Sequence, residues 1–260
     1  MIDFNIREIV PLCAEFGVEL TEDKIKKLNA YGNLLLEWNE KMNLTAIKEP
    51  KEVLYKHFYD CILFFKNVKV PQNATLIDIG TGAGFPGLVL KIVRPDIEVT
   101  LLDSLNKRLV FLNEVINALG LEGIKALHSR AEDGGKNKLY RERFQIATAR
   151  AVASMPVLLE YCLPFVTNGG QFVAMKGPSA REEASLCDNA LKVLGGEEPQ
   201  IFEETLTGDE KRVFLICKKN IANPVKISPK TCRYIKTAPL KGLFFSRLAE
   251  FSRPIFLYIF

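Results

Sequence analysis

Apolar residues recur three or four positions apart at Ile25, Leu28, Tyr31, Leu35, Trp38 and Met42, just after Thr21, a residue suited to an N-cap. The spacing predicts a long amphipathic helix over 21–42. A second helical run, Glu52 to Lys66, lies between Pro50 and Pro71 and completes a helical preface. From residue 76 the period changes. Short apolar runs at Leu76–Ile79, Ile97–Leu102, Ile124–His128, Phe144–Thr148 and Gln171–Met175 read as buried strands, interleaved with helices at Leu88–Val93, Lys107–Leu119 and Pro156–Cys162. A helix over Arg181–Leu194 ends at Gly195 and Gly196. Two last strands, Ile201–Leu206 and Val213–Cys217, meet at a turn of Gly208 and Asp209, the pattern of an antiparallel hairpin. The expected fold is α/β, a mainly parallel seven-stranded sheet behind an N-terminal helical extension. The expected division is 1–70 for the helical region packed on the core, 71–220 for the sheet domain and 221–260 for a basic, aromatic-rich tail.

The turn after the first predicted strand is the most informative. Leu76, Ile77, Asp78 and Ile79 run straight into Gly80, Gly82 and Gly84, whose backbone takes unusual dihedrals and can approach a ligand closely. Strand, glycine turn and helix form the first half of a doubly wound unit, which binds ligands at the carboxyl ends of its strands. Phe85 stands where the dinucleotide fingerprint needs its third glycine, so a pyrophosphate is not the expected ligand. D-x-G-x-G-x-G, led by Asp78, instead resembles the first motif of class I S-adenosylmethionine-dependent methyltransferases. That resemblance implies a Rossmann-like sheet and S-adenosylmethionine as cofactor. The plain alternative is a turn that only lets a strand meet a helix tightly. Asp103, at the tip of the next strand, can accept both ribose hydroxyls of an adenosine, or cap the helix that begins near Leu105.

With 260 residues, 48% of them hydrophobic, the chain can bury a full core. Ile6–Ala14 is interrupted by Arg7, Glu8 and Pro11, and no run of about 18 uncharged apolar residues occurs, so neither a signal peptide nor a membrane span is expected. Cys13, Cys61, Cys162, Cys187, Cys217 and Cys232 include no C-x-x-C pair, which points away from metal and disulfides and toward a reducing cytoplasm. The net charge of +4 hides an asymmetry. From Lys211 onward eleven Lys and Arg face one acidic residue, Glu250, giving +10 there and −6 for the remainder. A basic C-terminal segment fits a polyanionic partner, and equally a solvated charged tail.

Several strings occur in one order: Trp38-Asn39-Glu40-Lys41-Met42-Asn43-Leu44-Thr45-Ala46, His57-Phe58-Tyr59-Asp60, the glycine loop, Ser129-Arg130-Ala131-Glu132, Thr148-Ala149-Arg150-Ala151 and Met175-Lys176-Gly177. Together they resemble the bacterial glucose-inhibited division protein B family, also called RsmG, the 16S ribosomal RNA guanine-N7 methyltransferases, over roughly Phe16 to Lys218. The resemblance implies S-adenosylmethionine as methyl donor, a guanine of 16S ribosomal RNA or the small ribosomal subunit as acceptor, and a cytoplasmic enzyme expected to be a monomer. Carried over position by position, the family's cofactor contacts fall on Gly80, Phe85, Ala131, Glu132 and Arg150. They join Asp78, Gly82, Gly84 and Asp103 from the loop. Gly80 lets the backbone approach the methionine part, and Phe85 offers an apolar wall. Ala131 and Glu132 sit where an amide and a carboxylate can read an adenine edge. Arg150 clamps the cofactor carboxylate or contacts RNA. Without the resemblance, Glu132 reads as a surface acid beside Arg130, and Arg150 as half of a structural ion pair.

Guanine N7 carries a lone pair and no proton, so its methylation needs alignment and water exclusion rather than a general base. That agrees with the sequence, which has no Asn-Pro-Pro-Tyr type motif and no Pro-Cys nucleophile at the fourth strand end. No catalytic residue is therefore assigned beyond Arg150 as a contact. Lys107, Arg108 and Lys176 follow strand ends on the same edge and are expected to bind RNA. His57 and Trp38 read as packing residues. The tail departs from the family: Arg233–Leu240 resembles its basic, proline-containing end only loosely, and an extension, Gly242–Phe260, follows. Two other readings stay open, a class I methyltransferase acting on another RNA or a small molecule, and a non-catalytic ribosome-assembly factor that keeps the fold.

Overall fold

The central strands carry apolar residues on both faces, the composition of parallel strands covered by helices above and below. β1 (Thr75–Ile79) and β2 (Glu98–Asp103) are buried along nearly their whole length. A computed structural model describes residues 2–208 and 210–220, which belong to one compact unit. Asp209, Cys232 and the 221–260 tail expected from the sequence lie outside the described residues. With β3 (Ile124–His128), β4 (Phe144–Arg150), β5 (Val166–Lys176), β6 (Gln200–Thr205) and β7 (Lys211–Lys218), the strands form one sheet in the order β3-β2-β1-β4-β5-β7-β6. The first five are parallel, and β7 runs antiparallel to both β5 and β6. Strand order reverses between β1 and β4, and at such a switch point the crevice above the strand ends receives ligands.

Right-handed crossovers put α6 (Gly87–Val93) and α7 (Asn106–Ala118) on one face. The N-terminal helices pack on them. The other face carries α8 (Ala131–Gly134), α9 (Met155–Cys162), α10 (Ala180–Ala184) and α11 (Asp188–Leu194).

At the N-terminus a 3-10 turn, Ile6–Ile9, runs into α1 (Val10–Ala14). α2 (Glu22–Met42) has the predicted stripe, with Ile25, Leu28, Tyr31 and Leu35 buried and Thr21 accepting from the Lys24 amide. Trp38 packs against Phe111 of α7, ring centroids 5.8 Å apart, as a core residue. The second helical run comprises α3 (Pro50–Glu52), a π-helical turn over Val53–Tyr59, α4 (Asp60–Ile62) and α5 (Phe64–Asn67), where one regular helix was expected. Residues 57–64 are buried without a break, so no polar face marks the helical period in the sequence.

Two further expectations need correction. The helix over Arg181–Leu194 is two helices: after Ala184 the Leu186 and Cys187 amides donate to the Glu183 and Ala184 carbonyls three residues back, and the chain turns before Asp188. β5 begins five residues earlier than the apolar run suggests, at Val166, with a register irregularity opposite Phe144 and Ile146. Behind β5, Lys219 is fully buried, its ammonium donating to the carbonyls of Leu163 and Val166 and to Glu142. The five described cysteines are buried and unpaired. Among the described residues no helix is long and apolar enough to cross a membrane.

Candidate functional site

The glycine loop lies at the carboxyl end of β1, where β2 holds it from one side. The Gly80 and Thr81 amides donate to the Leu102 carbonyl at 2.9 and 3.1 Å, and the Gly82 amide donates to Asp103 Oδ2 at 2.9 Å. Asp78 ties the loop to the helix that follows, its Oδ2 accepting from the Thr81 hydroxyl at 2.6 Å and the Gly87 amide at 2.8 Å. Two glycines have separate reasons to be there. Gly82 has φ 61°, and the place of its missing Cβ is open, with only the Gly80 carbonyl oxygen 3.9 Å away. Gly84 has φ 101°, and a Cβ there would sit 2.3 Å from Leu88 Cδ1 and 2.9 Å from the Tyr31 hydroxyl oxygen. The first is open toward a ligand; the second is closed by packing.

The N-terminal helices hold the other side. Tyr31 of α2 is fully buried and donates its hydroxyl to the Ala83 carbonyl at 2.5 Å. Burial pushes its phenol well above the ordinary value, so it remains a donor. Its ring lies 5.3 Å from that of Phe85, which stacks on His57 at 4.4 Å. The Arg150 guanidinium sits over the same Phe85 ring, 4.9 Å from its centroid.

Arg150, at the tip of β4, is in turn fixed by Asp60. One terminal nitrogen donates to Asp60 Oδ2 at 2.9 Å and to the Lys56 carbonyl at 3.1 Å, and the other lies 3.2 Å from His57 Nδ1. The same Nδ1 lies 3.2 Å from the Lys56 carbonyl oxygen, and Nε2 lies 2.9 Å from the Thr45 hydroxyl, so both ring nitrogens are engaged. Burial, then the Arg150 charge, push the His57 pKa well below its ordinary value and keep the ring neutral. Asp60 Oδ1 accepts from Arg212 Nε of β7 at 2.6 Å. One buried carboxylate thus serves two guanidinium groups, and the cluster keeps an excess positive charge at the strand ends.

Sequence-predicted residues divide by what occupies them. Asp78, Gly80, Gly82, Gly84 and Asp103 meet at the edge of β1 and β2. Ala131 and Glu132 open α8 beside them, where the Ser129 amide donates to the Asp103 carbonyl, and Glu132 is exposed. Asp103 does not cap α7, whose N-cap is Leu105. Instead its Oδ1 accepts from the Leu105 amide at 2.9 Å, and its Oδ2 meets Arg108 at 3.1 Å. The Phe85 ring faces the N-terminal aromatic cluster, not the open side of the loop. Arg150 is in the ion pair that its residue type alone suggested, with its side chain 12% exposed. Lys107 is exposed, but Arg108 is paired with Asp103 and Lys176 is engaged by Glu183 and the Ala153 carbonyl, both at 2.8 Å. Tyr31, Asp60, Arg212 and Val152, which packs against Gly80, carry no predicted role. A lone acid inside an apolar helical run marks Asp60; nothing in the local sequence marks Arg212.

The residues fit the expected cofactor on one observation: the loop is open in front of Gly82. Beneath the loop, Asp78 Oδ1 and the hydroxyl oxygen of Thr148, its register partner on β4, are buried with no hydrogen-bond partner.

Comparison with known proteins agrees with this geometry. Residues 24–212 match the GidB family, described as rRNA small subunit methyltransferase G. The chain is 50% identical over 229 residues to ribosomal RNA small subunit methyltransferase G of Clostridium perfringens strain 13, covering 88% of this chain and 96% of that protein. It is 44% identical over 238 residues to the protein of that name from Clostridium botulinum strain ATCC 19397, covering 92% and 99%. Among solved structures it is similar in fold to one from Methanococcus maripaludis described as an S-adenosyl-L-methionine-dependent methyltransferase, with TM-score 0.51, 15% identity, and 74% and 93% of the two chains covered.

Two outcomes follow from the buried acids. Asp60→Asn leaves two guanidinium groups buried with no counter-charge and is expected to lower the unfolding free energy by about 3–5 kcal/mol, read by urea unfolding. A loss below about 1 kcal/mol would mean that solvent already compensates the pair. Asp78 responds to pH instead. Burial raises its pKa from 3.8 to about 6, against the lowering effect of the Thr81 and Gly87 hydrogen bonds. The folded state therefore binds this proton more tightly than the unfolded chain does. That contribution is complete below pH 3.8 and disappears as the pH rises through about 6. Unfolding of wild type and Asp78→Asn should show the wild-type advantage falling by about 3 kcal/mol between roughly pH 4 and pH 7, and a constant difference would rule the shift out.

Proposed function

The chain belongs to the GidB family of small-subunit ribosomal RNA methyltransferases, and from that premise we propose that it methylates N7 of one guanine in 16S ribosomal RNA, using S-adenosylmethionine. The observation that carries the reading is the glycine loop at the sheet's switch point, open at Gly82 and joined through Phe85 to the Arg150 cluster.

When bound, S-adenosylmethionine supplies an electrophilic methyl group on a sulfonium. Gly82 would admit it close to the backbone, while Gly80 and Gly84, packed against Val152 and Leu88, would shape the loop around it. Asp103 Oδ1 accepts one hydrogen bond, from Leu105, and retains acceptor capacity for a ribose hydroxyl. Ala131 and Glu132 would read the adenine edge. Arg150 brings positive charge to a carboxylate or an RNA phosphate.

The remaining chemistry is positioning. Guanine N7 attacks through a lone pair and loses no proton, so the site needs no general base, and its side chains are arranged accordingly. His57 is neutral, but its Nδ1 is enclosed by Arg150 and the Lys56 carbonyl and its Nε2 by the Thr45 hydroxyl. Asp78 is sealed beneath the loop, and both Asp103 oxygens hold backbone amides. What these residues do is hold the loop still and keep water out. N7 faces the major groove, which is deep and narrow in A-form RNA, so the target guanine is unpaired or displayed by a folded loop. An acceptor in ribosomal RNA supports a cytoplasmic location.

The direct test incubates the protein with isotope-labelled S-adenosylmethionine and either small subunits or naked 16S RNA. Label at N7 of a single guanine, located by strand cleavage and primer extension, is the expected result; RNA without label overturns the proposal. Tyr31→Phe keeps the aromatic packing and removes one buried hydrogen bond to the loop. Its expected effect is a roughly fivefold rise in cofactor Kd with kcat within about twofold, corresponding to about 1 kcal/mol. Unchanged cofactor affinity would remove Tyr31 from the support of the loop.

A further inference from the structure

The two edges of the sheet carry opposite charge. Residues 104–143, which contain edge strand β3, include eight basic and five acidic side chains, whereas residues 177–208, which contain edge strand β6, include two basic and seven acidic. A polyanion approaching the strand ends is drawn to the β3 side and repelled by the other.

On the β3 side, one segment combines charge with a fixed shape. Lys136, Lys138 and Arg143 are exposed, and Leu139 between them is 73% exposed, the highest value for a large apolar side chain among the described residues. The backbone beneath them is tied down. The Lys136 and Asn137 amides donate to the Asp133 and Gly134 carbonyls, and the Leu139 amide donates to Asn137 Oδ1. The Glu142 and Arg143 amides donate to the Pro164 and Phe165 carbonyls, and an Arg141 terminal nitrogen donates to the Gly135 carbonyl at 2.9 Å. Glu142, the acid within the segment, is paired with buried Lys219. Its charge is therefore already matched.

We infer that the segment from Lys136 to Arg143 is a docking surface for the phosphate backbone of RNA, an inference that rests on the reading of this chain as an RNA methyltransferase. α8 starts beside Asp103 at the cofactor edge, and Lys136 lies five residues beyond Ala131, about 8 Å farther at helical rise. The segment then crosses to the amino edge of the sheet, where the Thr75 hydroxyl donates to the Arg143 carbonyl at 3.3 Å, about 20 Å from the carboxyl edge at strand rise. It therefore engages nucleotides several positions from the target rather than the target itself. Contacts of this kind fix register and orientation and carry no base specificity.

The test measures equilibrium binding of a fluorescently labelled 16S RNA fragment by anisotropy, with methyl transfer followed in parallel. Lys136→Glu with Lys138→Glu is expected to raise the RNA Kd about tenfold and to reduce the slope of log affinity against log salt by about two, while cofactor affinity stays at the wild-type value. The Ala pair should give an intermediate loss. Lys192→Glu, exposed on α11 of the acidic side, serves as the charge control and should stay within about twofold of wild type. RNA binding and salt slope unchanged in the double Glu variant overturn the surface, as does a loss no larger than that of Lys192→Glu. If wild type binds RNA with the expected dependence on this segment but transfers no methyl group, the surface stands and the catalytic reading falls.

Discussion

A carboxylate with no exposed surface anchors this protein. Asp60, on the N-terminal helical run, is gripped by Arg150 from β4 and Arg212 from β7. Removing a carboxylate from water costs several kcal/mol unless cations and hydrogen bonds replace the lost hydration. The three elements must therefore come together in one arrangement. From that arrangement the order of the site follows: Arg150 is turned onto His57 and the Phe85 ring, and Phe85 closes the glycine loop. The motif strings around Thr45, His57 and Arg150 lie far apart in sequence, yet they join in one hydrogen-bonded chain.

The loop itself is held from two sides by different chemistry. β2 supplies a carbonyl and a carboxylate to its amides, while α2 supplies the Tyr31 hydroxyl and an aromatic wall. Gly84 is the point where the second support touches the loop, and Gly82 is where the loop remains open. A catalyst that works by alignment depends on such doubled support, since a small displacement of the donor loop misaligns nucleophile, methyl and leaving sulfur.

Much of this was readable in the sequence, because the strands announce themselves by composition. β3 runs where the apolar pattern puts it, β1, β2 and β4 differ at their ends by a residue or two, and the parallel sheet with its closing antiparallel pair follows the expected order. Asp78, the glycines and Asp103 were legible for the same reason: a turn between strand and helix is a local event with a local signature. What the pattern could not convey was the state of each charge. Arg108 and Lys176 read as free cations on the ligand edge, but Asp103 and Glu183 occupy them. Phe85 read as a wall open to ligand, but its ring turns toward helices contributed by residues some fifty positions earlier. The π-helical turn and the break at Ser185 were equally hidden, the first because its surroundings are buried on all sides, the second because no glycine or proline marks it.

The distances along the chain between these partners bear on how the protein comes into being. Tyr31 waits 52 residues for the carbonyl it holds, and Asp60 waits 152 residues for Arg212. Synthesis proceeds from the N-terminus at roughly 5–20 residues per second, so for several seconds the helical preface exists with its buried acid only partly matched. The donor loop emerges long before the last guanidinium that steadies its neighbours. The buried acid therefore cannot take its final place between two guanidinium groups until β7 has been made, which ties the seating of the helical preface to the last strand of the sheet.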